Sequence, residues 1–161
     1  LILDADALNR ISESTLGSKF FLERKFKTWI TPHNKEFSRL FPHIKGETNV
    51  GLALKAAKEF NISVLLKGAN SIVADNKKAW QLFGTDSQTA RAGLGDLLTG
   101  FVAGSSAMDL NHRKNITTDF FAKYVLLHSF ASSKCKTGSN ASDIGDELSK
   151  LMRNRKTRQI S

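Results

Sequence analysis

A glycine-rich turn directly before an apolar run is the part of this sequence with the clearest chemical meaning. It comprises Gly93, Leu94, Gly95 and Asp96, within the segment TARAGLGDLLTGFVAG. The backbone N–H groups at such a helix start attract an anion, and phosphate is the commonest one. If the turn only bound phosphate, the negative charge of Asp96 would weaken that binding. A carboxylate at this point is more useful as a base that takes a proton from an attacking hydroxyl.

The same residues also have a simpler structural explanation. A Gly-x-Gly sequence before a helix is often only a tight loop, and an aspartate in the first turn stabilises the helix electrostatically. The pattern is not a dinucleotide fingerprint, because the third glycine is missing, and it is not a P-loop, because no Gly-Lys-Ser/Thr follows. Taken alone, the turn leaves both explanations open.

Polar residues also follow each of three predicted strands. Asp4 and Asp6 follow Leu1–Leu3, His33 follows Thr28–Thr31, and Lys67 follows Ile62–Leu66. Ligands of parallel sheets gather beyond the carboxyl ends of the strands, so these residues predict a site at one sheet edge. Each has a structural alternative: aspartates cap helices, a histidine in a loop can do the same, and a strand-end lysine is often only solvated.

The elements that must position these residues alternate between strand and helix. Two further short strands, Ser71–Ala74 and Ala79–Phe83, flank a polar turn at Asp75-Asn76 and predict a β-hairpin. The predicted helices are Ala7–Ile11, Asn34–Leu40, Asn49–Phe60 with Thr48 as its cap, Asp96–Met108, Thr117–Ser133, and Asp143–Met152 with Ser142 as its cap. Single buried strands between helices predict an α/β fold with a largely parallel sheet flanked by helices.

Composition narrows the class of protein. The 161 residues, 40% of them hydrophobic, predict one globular domain, and no apolar run has the length of a membrane span. The net charge of +9 is scattered except in RNRKTRQIS, so residues 153–161 are predicted to be a solvated basic tail and no nucleic-acid partner is expected. The single Cys135 excludes an internal disulfide and fits a reducing cytoplasm. No Cys/His set has metal-ligand spacing, so no protein-held metal is predicted.

Four motifs in order resemble the ADP-dependent NAD(P)H-hydrate dehydratase family of the ribokinase-like superfamily. They are Asp-Ala-Asp-Ala-Leu-Asn from Asp4, Thr-Pro-His-Asn-Lys-Glu-Phe from Thr31, Leu-Lys-Gly-Ala-Asn-Ser from Leu66, and Ala-Gly-Leu-Gly-Asp ending at Asp96. The match runs from Leu1 to about Met152. Family members are longer at the amino end, so the chain resembles the carboxyl-terminal part of the domain, without the first βα units.

The resemblance implies an enzyme that repairs hydrated NADH and NADPH. The family phosphorylates the hydroxyl of the hydrated nicotinamide ring with ADP or ATP and Mg²⁺, and loss of phosphate restores the dinucleotide. It implies a β-hairpin near the nucleotide, a homo-oligomer in the full-length protein, and fusion to or cooperation with an NAD(P)H-hydrate epimerase. By motif match, His33 would contact the substrate, Gly95 the nucleotide phosphates, and Asp96 the substrate hydroxyl as base. The nucleotide would be lined by Lys67, Gly68, Ala69, Asn70 and Ser71.

The sequence departs from the family pattern in two motifs. Asn34 and Lys35 replace the usual Pro-Gly after the histidine, and Leu94 replaces the usual serine between the two glycines. Two alternatives stay open: another ribokinase-like kinase of a small alcohol, and a non-catalytic nucleotide-binding fragment. If strands that pair with Leu1–Leu3 are missing, the 161-residue chain should self-associate and show no dehydratase activity by itself.

Overall fold

The computed structural model describes residues 1–83, 93–112, 116–136 and 138–157. The chain divides into two compact units, Leu1–Thr85 and Asp86–Ser161. The description of the whole chain as one partial domain stays a prediction. Within the described residues, no helix combines the length and the apolar character needed to cross a membrane.

The first unit is built on a five-stranded sheet with the strand order β1-β2-β3-β4-β5. The first three strands pair in parallel, with Leu3 beside Ile30 and Ile30 beside Val64, while the last three pair antiparallel. The α/β prediction is therefore confirmed, and the sheet is mixed beyond β3. The strands are β1 Ile2–Leu3, β2 Trp29–Ile30, β3 Ser63–Leu66, β4 Ser71–Ala74 and β5 Ala79–Leu82.

The predicted hairpin joins β4 to β5. At its turn the Asp75 carboxylate accepts hydrogen bonds from the backbone N–H groups of Lys77 and Lys78 at 2.8 and 2.9 Å. The Asp75 N–H in turn donates to the Lys78 carbonyl at 3.0 Å. An aspartate that bonds the backbone two residues ahead is a standard way to close a turn, which is why the sequence predicts this hairpin well.

Three α-helices and one short 3₁₀ helix pack around the sheet of the first unit. They are α1 Ala5–Glu13, the 3₁₀ helix Gly17–Phe21, α2 Asn34–Leu40 and α3 Asn49–Phe60. The bounds of α2 and α3 are those predicted. Thr48 accepts from the Gly51 N–H at 3.1 Å, and Asn61 ends α3 in the left-handed conformation at φ 51°. Helix α1 begins two residues earlier than predicted because Asp4 caps it.

The core of the first unit lies between the sheet and α3. Ala53, Ala56 and Ala57 are fully buried where α3 packs on β3 and β4, and their small side chains let the helix approach the strands closely. Phe41 and Phe60 pack ring to ring at 5.0 Å in the same cluster. This core holds the strand ends in place, and the candidate site lies at those ends.

The described residues of the second unit form three helices, α4 Leu94–His112, α5 Thr118–Lys134 and α6 Ala141–Thr157. Tyr124 of α5 donates hydrogen bonds to the Ser105 carbonyl, at 3.4 Å, and to the Asp109 carboxylate, both on α4. Ala131 of α5 and Ile144 of α6 are fully buried in an apolar cluster that Leu94 also contacts. Helix α4 therefore begins two residues before the predicted Asp96.

Two predictions about α6 are wrong. Asn140, and not Ser142, caps the helix, since its Oδ1 accepts from the N–H groups of Ser142 and Asp143 at 2.8 and 3.1 Å, and Asp143 accepts from the Asn140 N–H at 2.7 Å. The helix also continues to Thr157 and does not end at the predicted Met152. The solvated basic character of residues 153–161 stays a prediction. Residues 158–161 lie outside the described residues.

Candidate functional site

A polar cluster joins the carboxyl ends of β1 and β3 in the first unit. The Lys67 ammonium donates to Asp4 Oδ1 at 2.7 Å, although the two residues are 63 positions apart. The Asp4 side chain is only 9% exposed and that of Lys67 is 26% exposed. The two charges therefore form a largely buried ion pair across the sheet edge, whose attraction solvent screens less than that of a pair on the surface.

The surroundings of Asp4 favour its charged form. Burial raises the pKa of the Asp4 carboxyl, but the hydrogen bond and charge of Lys67 outweigh it. The Thr31 hydroxyl and the Ala5 N–H, the latter at 2.9 Å, add further hydrogen bonds. Together these partners hold the pKa below its ordinary value of 3.8. Asp4 is therefore a stable carboxylate that caps α1 and anchors Lys67.

His33 lies next to Lys67 at the same edge of the sheet. The two residues form a parallel bridge that continues the pairing of β2 with β3, and the Lys67 N–H donates to the Pro32 carbonyl at 2.8 Å. The structure thus brings together two of the residues singled out from the sequence. The shared edge follows from the parallel pairing, as the sequence predicted.

His33 also caps α2 through its side chain. Its Nδ1 accepts from the N–H groups of Lys35 and Glu36 at 3.1 and 3.2 Å, and the Glu36 carboxylate accepts from the His33 N–H at 2.8 Å. This is the reciprocal arrangement of a capping box, with histidine in the place usually taken by serine or threonine. The His33 side chain remains 48% exposed, and its Nε2 takes no part in these capping hydrogen bonds.

The predicted nucleotide segment forms the turn that leads from Lys67 into β4. Ser71 is buried, and its hydroxyl donates to the Gly68 carbonyl at 3.2 Å, which closes the turn. Gly68, Ala69 and Asn70 are exposed, and a Cβ placed on Gly68 would meet no atom within 4 Å. The outer side of this turn is therefore open enough for a ligand to approach its backbone.

The glycine turn before α4 belongs to the second unit. Gly93 has φ +82°, a left-handed conformation that glycine adopts without strain, and its carbonyl accepts from the Leu97 N–H at 2.9 Å. Leu94, Gly95 and Asp96 form the first turn of α4, where the backbone N–H groups have no acceptor within the helix. Asp96 is exposed, as a base that must meet a substrate has to be.

The Leu94 substitution has a structural explanation. Its side chain packs against the apolar cluster shared by α5 and α6. A leucine can replace a serine here because the anion cradle uses backbone N–H groups, which every residue except proline supplies.

The sequence reasoning missed two features of this site. It did not find Glu36 as the partner of His33, although an acidic residue three positions after a cap is the usual sign of a capping box. It also did not find the pairing of Asp4 with Lys67, for which the sequence holds no signal until the strand order is known. The pairing leaves the proposed contact of Lys67 with a phosphate untested.

The described residues contain no cluster suited to hold a metal ion alone. In residues 1–83, 93–112, 116–136 and 138–157, no three His, Cys, Asp or Glu side chains gather as ligands of one ion. Enzymes that act on nucleotides usually bind Mg²⁺ through phosphate oxygens, water and one or two carboxylates.

Known proteins resemble this chain in both sequence and fold. A bifunctional NAD(P)H-hydrate repair enzyme from Synechocystis is 38% identical over 105 residues, which are 65% of this chain and 20% of the relative. A ribokinase-like protein from Enterococcus faecalis superposes with a TM-score of 0.75 at 23% identity, covering 96% of this chain and 52% of that protein. The ADP/ATP-dependent NAD(P)H-hydrate dehydratase of Bacillus subtilis, co-crystallised with ATP and Mg²⁺, superposes with a TM-score of 0.70 at 20% identity. This match covers 95% of the present chain and 54% of the Bacillus protein.

These matches confirm the ribokinase-like fold and the resemblance to the dehydratase family. The chain spans about half the length of the solved proteins and a fifth of the Synechocystis enzyme. The sequence model of NAD(P)H-hydrate dehydratase matches residues 1–153, which is nearly the whole chain. This chain therefore belongs to the NAD(P)H-hydrate dehydratase family.

Proposed function

We propose that this chain is part of an enzyme whose dehydratase activity restores hydrated NADH and NADPH, with ADP or ATP as the phosphoryl donor. The observation that carries the proposal is Asp96, an exposed carboxylate in the first turn of α4, directly after the left-handed Gly93, within a chain that matches the family over residues 1–153. This is where a base is needed if phosphate binds at the helix start.

The proposed reaction has two steps. The hydroxyl oxygen of the hydrated ring attacks the terminal phosphorus of the nucleotide while Asp96 accepts the hydroxyl proton, and the shortened nucleotide leaves. The phosphate ester then loses phosphate, and the ring gives up a proton as its double bond forms again. With ADP the products are AMP, phosphate and the restored dinucleotide. Magnesium bound to the nucleotide would neutralise part of the phosphate charge.

The other assigned residues have binding roles in this proposal. Lys67, Gly68, Ala69, Asn70 and Ser71 bind the adenine nucleotide, and the exposed backbone of their turn supports this. Gly93, Leu94 and Gly95 bind phosphate through backbone N–H groups. His33, with its half-exposed imidazole, contacts the hydrated dinucleotide.

The same proposal predicts a partner enzyme, a cellular location and an oligomeric state. The Synechocystis relative is bifunctional, so we expect the present protein to work with an NAD(P)H-hydrate epimerase, on the same chain or on another. A cytoplasmic enzyme fits the single cysteine and the nucleotide substrates. We expect the full-length protein to be a homo-oligomer.

The assignment of Asp96 is tested by Asp96→Asn in the full-length gene product that contains these residues. The variant keeps the shape of the side chain and removes the base, so turnover of hydrated NADH should fall by about 10²–10⁴-fold. ADP should bind as well or better, because a negative charge near phosphate is gone. Asp119, another first-turn acid, provides the control, since Asp119→Asn should leave turnover unchanged. Near-normal turnover by Asp96→Asn would exclude the residue as the base.

A further inference from the structure

The hydrogen bonds of His33 determine which ring nitrogen can serve a ligand. Nδ1 accepts from two backbone N–H groups, those of Lys35 and Glu36, at 3.1 and 3.2 Å. A ring nitrogen that accepts a hydrogen bond carries no proton, so the proton of the imidazole lies on Nε2. The N–H groups at the start of α2 are used by His33 itself and are not an anion site.

The Glu36 carboxylate contacts both the backbone and the ring of His33. Its Oε2 accepts from the backbone N–H of His33 at 2.8 Å, and its Oε1 lies 3.4 Å from Nε2. The latter distance is too long for a good hydrogen bond, so the Nε2–H group stays available to a ligand. The Glu36 side chain is only 7% exposed, which keeps its charge fixed beside a ring that is 48% exposed.

We propose that Glu36 is a positioning residue that presents His33 to the hydrated dinucleotide as a hydrogen-bond donor through Nε2. The inference rests on the proposed function for the identity of the ligand, and it deepens that function by assigning the chemistry of the contact. His33 then donates to an acceptor oxygen of the substrate, and it does not remove the hydroxyl proton. The two backbone N–H groups at Nδ1 fix the tautomer, and the Glu36 carboxylate, 3.4 Å from Nε2, favours this orientation of the ring through its charge.

The tautomer can be measured without any turnover. Nitrogen-15 NMR of the full-length protein with labelled histidine should show His33 with a protonated Nε2 and an unprotonated Nδ1. Addition of hydrated NADH should shift the Nε2 signal more than the Nδ1 signal. A His33 ring protonated on Nδ1, or an Nε2 signal that hydrated NADH leaves unchanged, would overturn the inference.

The role of Glu36 is tested by Glu36→Gln, whose amide oxygen can still accept from the His33 N–H. We expect the KM for hydrated NADH to rise by about tenfold, because without the Glu36 charge the ring is held less well and its Nε2–H donates a weaker hydrogen bond to the substrate. The kcat and the KM for ADP should change by less than about twofold. The control is Glu59→Gln, which removes the charge beside the exposed His43 at 2.8 Å and should change neither constant.

A second variant separates positioning from a purely structural effect. His33→Asn retains a side-chain oxygen that caps α2, because asparagine is a good N-cap residue, but it removes the imidazole. If Glu36 acts through His33, Glu36→Gln should raise the KM no further in the His33→Asn background. An equal rise in both backgrounds would contradict the inference. If the wild-type protein failed to restore NADH, the proposed function would fail, while the NMR result would still decide the tautomer.

Discussion

Replacement of Lys67 by alanine should destabilise the protein through Asp4. The ammonium of Lys67 lies 2.7 Å from a carboxylate that is only 9% exposed, so its removal leaves a buried charge without its main partner. Hydrogen bonds to charged groups contribute about 1.5–3 kcal/mol, and loss of one partner of a fully buried pair costs about 3–5 kcal/mol. Because Lys67 is partly exposed, we expect the free energy of unfolding to fall by about 2 kcal/mol.

The assay is urea unfolding of the full-length gene product, with the midpoint and slope fitted for wild type and variant. Lys150 offers a matched control, since its ammonium lies 2.6 Å from Glu147 but is 62% exposed. Lys150→Ala should leave the midpoint within error, because solvent screens such a pair. Adding Asp4→Asn to Lys67→Ala should recover part of the loss. Equal midpoints for Lys67→Ala and wild type would refute the reasoning.

The same pair predicts a dependence on pH. Because the partners of Asp4 lower its pKa in the folded state, its contribution to stability is fully present above the ordinary value of 3.8. It is lost as the pH falls through the lower pKa of the folded protein. The difference in unfolding free energy between wild type and Lys67→Ala should therefore shrink as the solution becomes more acidic than pH 3.8. A difference that grows in acid would contradict the assigned direction.

Three further predictions follow from the proposed roles and from burial. Lys67→Ala should weaken ADP binding by about 1.5–3 kcal/mol if the ammonium contacts phosphate, and equal affinities in calorimetry would exclude that contact. Burial lowers the pKa of His128 from 6.5 to about 4. The free energy of unfolding should therefore fall by about 3 kcal/mol as the pH drops from 6.5 to 4, because the unfolded state binds the proton more readily. Urea titrations of His128→Gln should show a smaller dependence of stability on pH over this range. Deletion of Arg153–Ser161 should leave the kinetic constants unchanged, and a large rise in the KM for the dinucleotide would implicate these residues in substrate binding.

The sequence predicted the elements whose ends carry local signals. Helix α3 begins after Thr48 and ends at Phe60 as expected, because a side-chain cap and the left-handed Asn61 after it act within a few positions of the chain. The end of α6 was wrong for the complementary reason. Its last residues have no apolar periodicity, which is the pattern that predicts a helix, so the sequence placed the end at Met152 although the helix continues to Thr157.

The sequence predicted where the candidate site lies, but it did not predict which side chains contact each other there. Parallel strands put His33 and Lys67 at one edge, and the sequence pattern is sufficient to infer that. The partner of Lys67 depends on which strands are neighbours, and β1 and β3 are not neighbours but lie on either side of β2. The role of Glu36 was missed because His33 is an unusual cap residue, so its capping box does not stand out in the sequence.

The most direct test of the proposed function measures three products at once. The full-length gene product is incubated with purified hydrated NADH, ADP and Mg²⁺, and NADH, AMP and phosphate are followed together. The proposed reaction predicts that the three appear in equal amounts and that none forms when ADP and ATP are both omitted. Restoration of NADH without formation of AMP, or binding of ADP without any restoration of NADH, would contradict the assignment of this chain as a nucleotide-dependent dehydratase.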